Sequence, residues 1–245
     1  MSSIVLARKY FAMPELEVCF SPDLLHLHDV KNSVVVVTDI LRASSCMVTA
    51  FANKVDHIVP VATLEECLLL RQQGYHIAAE RDGKQVEGFD YGNSPLEYKA
   101  AEIKGKKLGI TTSNGTRAIT RSAHAKAVYI GAFLNLQKVV EKVKEADERL
   151  LLVCSGWKGR FSLEDTLFCG ALIKCIKDGY NINDDAANVS LNLYQQVEKN
   201  LKNAIENSAH AHRLNRISMI RDIEFCSRIN EYDVLPYLVE GKLIT

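Results

Sequence analysis

The sequence has 245 residues, of which 47% are hydrophobic, so it can form one large domain or two small lobes around a sizeable core. Its 30 basic and 30 acidic residues cancel to a formal net charge of +0, which gives no global field that would favour nucleic acid or an anionic membrane. Composition therefore excludes a disordered chain and a protein that binds nucleic acid or anionic membranes through its net charge. Any anion must be bound by local groups.

The seven cysteines are an odd number, lie in apolar contexts and form no C-x-x-C pair. This pattern is typical of reduced cytosolic cysteines that pack as small hydrophobic side chains. The N-terminus does not read as a signal peptide, and no stretch is apolar for long enough to span a bilayer. We therefore expect a soluble, cytoplasmic protein with neither a nucleic-acid nor a membrane partner.

Three segments share one pattern, in which an aliphatic run is followed by a polar cluster and a helix-compatible stretch. They are VVVVTDILRASS (34–45), KLGITTSNGTRAI (107–119) and LLLVCSGWKGRFSLED (150–165). Further strand candidates lie at 57–62, 75–79 and 127–133, and a helix candidate lies at 64–74. This alternation predicts an α/β fold with three layers, a mostly parallel sheet with helices on both faces.

The first two of these segments also suggest a weak internal duplication. No low-complexity linker divides the chain. We therefore expect residues 1–245 to form a single α/β domain, organised as one body or as two intertwined sub-lobes.

Two helix starts are marked by capping signals. Ser162 with Asp165 precedes an apolar periodic run, and Ser94-Pro95-Leu96-Glu97 combines a capping box with proline at the first helical position. The pattern from about 184 to 228 is helical. The final DVLPYLVEGKLIT predicts an edge strand or a hairpin.

The polar clusters indicate where a ligand would bind. In an open α/β sheet, ligands sit beyond the carboxyl ends of the strands, so the clusters should meet at one site. TTSNGTR (111–117) offers hydroxyls, an amide, a glycine and an arginine at a helix start, which suits phosphate or carboxylate, and CSGWKGR (154–160) does so more weakly. Neither is a Walker loop, and no dinucleotide fingerprint follows a strand.

A long polar connection, AERDGKQVEGFDYGNSP (79–95), is also predicted to be functional. Anion cradles beside isolated carboxylates suit a phosphate ester and a hard divalent cation. Mg²⁺ commonly uses only one or two carboxylates together with substrate and water, so a set such as Asp39, Glu80 and Asp165 would suffice.

Five blocks, taken in order over about residues 30–236, resemble the 2-phosphosulfolactate phosphatase (ComB) family. They are VTDILRASS, ERDGKQVEGFDYGNSP, TTSNGTRAI, SGWKGRFSLED and the late SAHAHRL with RDIEFC. The resemblance implies a Mg²⁺-dependent phosphatase that removes phosphate from 2-phosphosulfolactate, on the route to coenzyme M, or from the phosphate ester of a related 2-hydroxy acid. It implies a small anionic substrate, and a homo-oligomer is compatible with it.

The chain departs from the family pattern at four positions. Lys54, Ala79 and Asp82 stand where the family usually has glycine, and Ser113 replaces a threonine. These changes bear on the identity of the substrate more than on the type of reaction.

The motifs and the resemblance together give three sets of candidate site residues. The catalytic set is Asp39, Arg42, Asn114 and Asp165. The metal-binding set is Asp39, Glu80 and Asp165. The substrate-binding set is Arg42, Ser44, Arg81, Asn93, Ser94, Ser113, Asn114, Gly115, Thr116, Arg117, Ser155 and Gly156.

Structural roles compete with several of these assignments. Asp39 could cap the following helix, the capping box explains Asp165, and Asn114-Gly115 could be a plain turn. A nucleophilic aspartate of the haloacid-dehalogenase type would have a second aspartate two positions later, where this chain has Leu41. A metal-ligand role for Asp39 is therefore favoured.

Two other hypotheses remain open. One is a metallohydrolase with histidine ligands from the pairs His26/His28 or His210/His212, although residues two apart diverge by roughly 200° around a helix. The other is a non-catalytic sensor of small phosphorylated acids. His210 is also a candidate acid or base.

Overall fold

A ten-stranded sheet forms the centre of the fold in the computed structural model, which describes residues 13–215 and 219–245. The strands are β1 (Leu16–Cys19), β2 (Val34–Thr38), β3 (His57–Pro60), β4 (His76–Arg81), β5 (Lys84–Gln85), β6 (Lys107–Thr111), β7 (Ala127–Gly131), β8 (Leu150–Cys154), β9 (Tyr237–Val239) and β10 (Lys242–Ile244). Their order in the sheet is β1-β8-β2-β7-β9-β10-β3-β6-β4-β5.

The helices of the described residues connect these strands and cover the sheet. They are α1 (Ala43–Ala52), α2 (Leu64–Gln72), α3 (Gly115–Arg121), α4 (Leu136–Ala146), α5 (Leu163–Ile176), α6 (Asp185–Val197), α7 (Leu201–Glu206), α8 (Ala209–Asn215) and α9 (Ile220–Cys226). The helical pattern predicted for about 184–228 is confirmed by α6 to α9, apart from 216–218, which lie outside the described residues.

Two parallel groups make up most of the sheet. One is β1-β8-β2-β7 and the other is β3-β6-β4, and all pairings inside the two groups are parallel. The antiparallel hairpin β9–β10 joins the groups through the residue pairs Tyr129–Tyr237 and Leu243–Ile58. The predicted α/β class with a mostly parallel sheet is confirmed. The internal duplication stays a prediction.

The C-terminal hairpin is at the centre of the sheet, so the prediction of a hairpin is confirmed and its alternative, an edge strand, is wrong. Its strands have only three residues each, and Val239 is exposed. Short strands with exposed positions are typical of sheet edges. Here the main-chain groups of the hairpin are instead paired on both sides by β7 and β3.

Continuous burial explains the aliphatic runs. All five residues of β2 are buried, and so are all five of β8. A strand that is buried at successive positions is covered on both of its faces, which is the environment of a parallel sheet between layers of helices. α1 is buried along almost its whole length, so the β2–α1 turn starts inside the core and ends at a buried helix.

The helix predicted at Ser94-Pro95-Leu96-Glu97 is wrong. Only the 3₁₀ turns Glu97–Lys99 and Ala101–Ile103 follow it. Neither side chain makes its capping bond: Ser94 Oγ donates to Asp222 Oδ1 at 2.7 Å, and the Glu97 carboxylate accepts from the backbone of Gly92, not of Ser94, at 2.7 Å. Ser94 has a tertiary partner instead, and Glu97 has one earlier in the same loop.

The sequence also predicted reduced cysteines and no stretch apolar for long enough to span a bilayer. All seven cysteines are free, and all but Cys175 are buried. Within residues 13–215 and 219–245, no helix combines the length and the hydrophobicity that crossing a bilayer requires.

Candidate active site

The carboxyl ends of β2, β4 and β6 meet at one cavity, although β2 belongs to a different parallel group. The contact is made at Gly115, where a Cβ would lie 2.6 Å from Ala43 Cβ and 2.8 Å from Asp39 Oδ2. Only glycine leaves room for such an approach of α3 to α1. The antiparallel hairpin β9–β10 sets the two groups in opposite directions along the sheet, and both groups nevertheless contribute residues to the cavity.

The cavity has a volume of about 110 Å³, and most of its lining residues are polar. It is lined by Asp39, Leu41, Arg42, Glu80, Asp82, Gly83, Asn93, Ser113, Asn114, Trp157, His210, Arg213 and Leu214. Carboxylates, guanidinium groups, amides and an imidazole thus surround a space that fits a small molecule with several charges.

Asp39 follows β2 directly and is 8% exposed. Its backbone N–H donates to Ser44 Oγ at 2.9 Å, and its Oδ1 accepts from the backbone of Ala43 at 3.2 Å. Burial, with smaller contributions from the charges of Glu80 and Glu164, raises the pKa of Asp39 to about 6, although His210 and the Ala43 N–H act in the opposite direction. The carboxylate is ready to accept a positive partner, because such a partner would remove the penalty of its burial.

Glu80 is a second buried carboxylate that lines the cavity. Its Oε1 accepts from the backbone of Gly83 at 2.5 Å, and its Oε2 lies 3.5 Å from the backbone N of Ser113. A third carboxylate of the lining, Asp82, is exposed and pairs with Lys158 Nζ at 2.9 Å. Asp39 and Glu80 are thus the two buried carboxylates of the cavity, and carboxylates are hard oxygen donors of the kind Mg²⁺ prefers. Over the described ranges, no three His, Cys, Asp or Glu side chains converge on a single point, so substrate and water would have to complete the coordination.

Asp165 does not line the cavity, so its predicted catalytic and metal-binding roles are not supported by its position. Its Oδ1 accepts from the backbone of Ile40 at 2.9 Å and its Oδ2 from the backbone of Gly156 at 3.1 Å. Burial, followed by the charges of Glu164 and Asp39, raises the pKa of Asp165 well above its usual range. The Asp165 side chain thus links the β8–α5 connection to the β2–α1 turn. Because it binds Ile40, the residue after Asp39, it helps to position Asp39.

Arg42 lines the cavity but already has an anionic partner. It is 3% exposed, its Nη1 donates to Asp222 Oδ2, and its Nη2 donates to the carbonyl of Gly83 at 2.8 Å. A guanidinium has five N–H groups, so some remain for a ligand. Contact of Arg42 with the substrate stays a prediction, but its charge is balanced by Asp222 before any ligand binds.

Among the other predicted residues, Asn93, Ser113 and Asn114 line the cavity. Asn114 Oδ1 accepts from the backbone of Lys158 at 3.0 Å. Because that bond occupies the amide oxygen, the NH₂ group of Asn114 is the part that can donate to a ligand.

The remaining predicted substrate-binding residues do not line the cavity: Ser44, Arg81, Ser94, Gly115, Thr116, Arg117, Ser155 and Gly156. Arg117 pairs with Asp23 at the surface. Arg81 donates to the carbonyl of Glu80 and to Thr111, and Thr116 exchanges hydrogen bonds with Thr112.

The other five also have local structural contacts. Gly115 and Ser44 act on Asp39 as described above, and Ser94 holds Asp222. The backbone of Ser155 donates to the carbonyl of Thr38, and Gly156 donates to Asp165 and has a φ of 62°. The second anion cradle, predicted from CSGWKGR, is thus a turn held by a carboxylate.

Trp157, His210 and Arg213 also line the cavity. Of these, His210 was predicted as a candidate acid or base, whereas Trp157 and Arg213 were in none of the predicted sets. The Cζ atom of Arg213 lies 4.0 Å from the centre of the Trp157 ring, within the range of a cation–π contact. His210 Nδ1 lies 2.9 Å from Oε1 of Glu164, which is 1% exposed. A signal was present, since His210 and Arg213 are three residues apart and share one face of α8.

The histidine-liganded metal site is not supported by the geometry. His26 Nδ1 contacts the carbonyl of Asp23, and His28 pairs with Glu17. Of the second pair, only His210 lines the cavity. No cluster of three metal-ligating side chains that contains either pair occurs in the described part of the chain.

Comparison with known proteins agrees with the resemblance in the sequence. The family model described as 2-phosphosulpholactate phosphatase matches residues 19–241. A relative from Thermotoga petrophila, named probable 2-phosphosulfolactate phosphatase, is 41% identical over 209 residues, which cover 85% of this chain and 90% of the relative.

Two further relatives carry the same name. One from Caldanaerobacter subterraneus is 36% identical over 222 residues, which cover 89% of this chain and 92% of the relative. One from Clostridium acetobutylicum is 34% identical over 235 residues, which cover 94% of this chain and 100% of the relative. The chain therefore belongs to the 2-phosphosulpholactate phosphatase family and is a phosphoric monoester hydrolase.

Proposed function

We propose that this enzyme hydrolyses 2-phosphosulfolactate, or the phosphate ester of a related 2-hydroxy acid, to the hydroxy acid and inorganic phosphate in a Mg²⁺-dependent reaction. The observation that carries the proposal is the pairing of opposite charges in one small cavity, with Asp39 and Glu80 beside Arg42 and Arg213. The names of the relatives supply the candidate substrate.

Asp39 and Glu80 are the residues that would hold Mg²⁺. Both are acceptor-only groups at the cavity wall, both are at most 9% exposed, and each has only part of its acceptor capacity used by the backbone. When bound, the ion would neutralise phosphoryl charge in the transition state.

The guanidinium groups would bind the anionic parts of the substrate. Arg213 is stacked on Trp157, which restricts its orientation without using its N–H groups. Its planar fork can contact a carboxylate, sulfonate or phosphate through two hydrogen bonds. The NH₂ of Asn114 and the side chain of Asn93 would add neutral donors in the same cavity. Holding all charged groups of the substrate at once would orient the ester for attack by water.

A phosphate-release screen tests the proposal. The substrates are 2-phosphosulfolactate, 2-phospholactate and 2-phosphoglycerate, with glycerol 3-phosphate as the control that lacks the acid group, each with and without Mg²⁺. We expect release from the 2-phospho acids only with Mg²⁺ and much slower release from glycerol 3-phosphate. Tight binding of 2-phospho acids without release under any divalent cation would favour the sensor hypothesis instead.

The expected cytoplasmic location and a homo-oligomeric state stay predictions.

A further inference from the structure

We propose that His210 is the general acid that protonates the leaving oxygen of the ester and that Glu164 positions it. This proposal rests on the proposed function, because it assigns a step in the hydrolysis of a phosphate monoester. It concerns a histidine and a glutamate on separate helices, α8 and α5.

The geometry fixes one side of the imidazole. His210 Nδ1 lies 2.9 Å from Oε1 of Glu164, and the side chain of Glu164 is 1% exposed, whereas that of His210 is 18% exposed. A buried carboxylate favours a proton on Nδ1 and holds the ring in one orientation. Nε2 is then the nitrogen that forms no hydrogen bond with a described residue, and His210 lines the cavity.

Glu164 stays ionised in spite of its burial. Burial acts to raise the pKa of Glu164, but the hydrogen bond and charge of His210, with smaller contributions from neighbouring hydrogen bonds, lower it overall. Glu164 Oε2 is buried without a hydrogen-bond partner in the described part of the chain, so the imidazole is the main group that compensates this carboxylate. A protonated imidazole satisfies the carboxylate and carries a second proton on Nε2.

The chemistry requires such a donor. A 2-hydroxy acid would leave as a strongly basic alkoxide, and a positioned acid typically contributes about 10²- to 10⁴-fold to the rate of such a step. The guanidinium groups of Arg42 and Arg213 do not release a proton at neutral pH. Asp39 and Glu80 are the groups assigned to the cation and would be ionised when it is bound. Asp82, the remaining carboxylate of the lining, is exposed and paired with Lys158. Among the described residues of the lining, His210 is then the best placed proton donor.

One bond forms and one bond breaks in this step. The oxygen of a water molecule forms the new bond to phosphorus, the bond between phosphorus and the ester oxygen breaks, and that oxygen takes the proton from His210 Nε2. The water keeps one hydrogen in the new P–OH group. Its other proton returns His210 to the protonated state, so the products are the hydroxy acid and inorganic phosphate.

A pair of matched substrates isolates the proton transfer. 2-Phospholactate and phosphoenolpyruvate have nearly the same shape and charge, but the enolate of pyruvate is a far better leaving group than an alkoxide and needs less protonation. We expect His210→Gln to lower kcat for 2-phospholactate by about 10²-fold or more and to lower kcat for phosphoenolpyruvate much less, with little change in KM.

The controls separate this role from a structural one. His212→Gln changes an exposed histidine on the same helix and should leave both rates unchanged. Glu164→Gln keeps a hydrogen-bond acceptor for Nδ1 but removes its charge, so it should shift the ratio of the two rates in the same direction and by a smaller factor. This ratio is independent of the folded fraction and therefore remains informative if a variant is partly unfolded. His210→Asn provides a second variant.

Equal losses on both substrates, or no loss, would overturn the role of His210 while leaving the proposed function intact. A wild-type enzyme that releases phosphate from neither ester would overturn the proposed function and this proposal together.

Discussion

Two buried aspartates at two strand–helix connections have different environments. Asp39, between β2 and α1, uses one carboxylate oxygen for the backbone of Ala43 and lines the cavity. Asp165, at the start of α5, uses both oxygens for the backbone of Ile40 and Gly156 and does not line it. This difference shows that burial alone does not identify a reactive acid. The partners of each oxygen decide whether a carboxylate is available to a ligand.

The largest expected effect is the loss of turnover in Asp39→Asn. The amide keeps the shape of the side chain and an acceptor for Ala43 but removes the negative charge that faces the cavity. We expect kcat to fall by roughly 10³-fold or more, the scale of removing a preorganised electrostatic contact. Phosphate release with circular dichroism as a folding check measures this. Asp178→Asn, at an exposed position, is the matched control, and near-normal turnover in Asp39→Asn would remove Asp39 from the catalytic machinery.

Asp222→Ala tests the contribution of the buried Arg42–Asp222 ion pair to stability. Asp222 and Arg42 are each 3% exposed in side chain, so truncation leaves a buried, unpaired guanidinium and should lower the free energy of unfolding by about 3 to 5 kcal/mol. Glu148→Ala removes the partner of Lys126 in an exposed pair and should cost less than about 1 kcal/mol. Urea denaturation compares the two. Similar losses would mean that the buried pair has no special structural role.

The pH dependence of stability gives a third test, on the metal-free protein. Because the folded state raises the pKa of Asp39 to about 6, it binds the proton more tightly than the unfolded chain does. Stability should therefore fall by about 2 to 3 kcal/mol as the pH rises from about 4 to about 6 and then level off. Asp39→Asn should lack this component. Parallel stability curves for the two proteins would show that the carboxyl group is not desolvated.

A smaller effect is expected from Gly115→Ala. The new methyl group would meet Ala43 Cβ and Asp39 Oδ2, and both neighbours are buried. Overpacking should reduce the free energy of unfolding by roughly 1 to 3 kcal/mol and displace the Asp39 carboxylate, which would also lower kcat. Gly179→Ala, where nothing lies within 4 Å of the new Cβ, is the control for adding a methyl group. Unchanged stability and activity would contradict the close approach of α3 to α1.

Much of the fold could be predicted from local pattern. The aliphatic runs identified β2 and β8, and apolar spacing identified the helices after 184. The central position of the C-terminal hairpin could not be predicted, because its neighbours in the sheet, β7 and β3, are distant in sequence. Two of the positions where the family usually has glycine have a backbone that favours glycine. Lys54 and Asp82 have φ angles of 65° and 51°, in the left-handed region.

The candidate site also has a part that was predictable from local pattern and a part that was not. Asp39, Glu80 and Asn114 were predicted from their positions at strand ends, a rule that depends only on local order. The partners of Asp165 and Arg42 were not predictable from local pattern, since Ile40 is 125 residues from Asp165 and Asp222 is 180 residues from Arg42. The contact between His210 and Glu164 spans 46 residues and was missed for the same reason.

The affinity for Mg²⁺ in two variants is the most direct test of the assignment of Asp39 and Asp165. Calorimetric titration of Asp39→Asn should show affinity weakened by more than about 100-fold, beyond the usual effect of changing a residue that only supports a ligand. Asp165→Asn should stay within about tenfold of wild type, with its folded state verified by thermal denaturation. Equal losses in the two variants, or a larger loss in Asp165→Asn, would contradict the placement of the cation at Asp39.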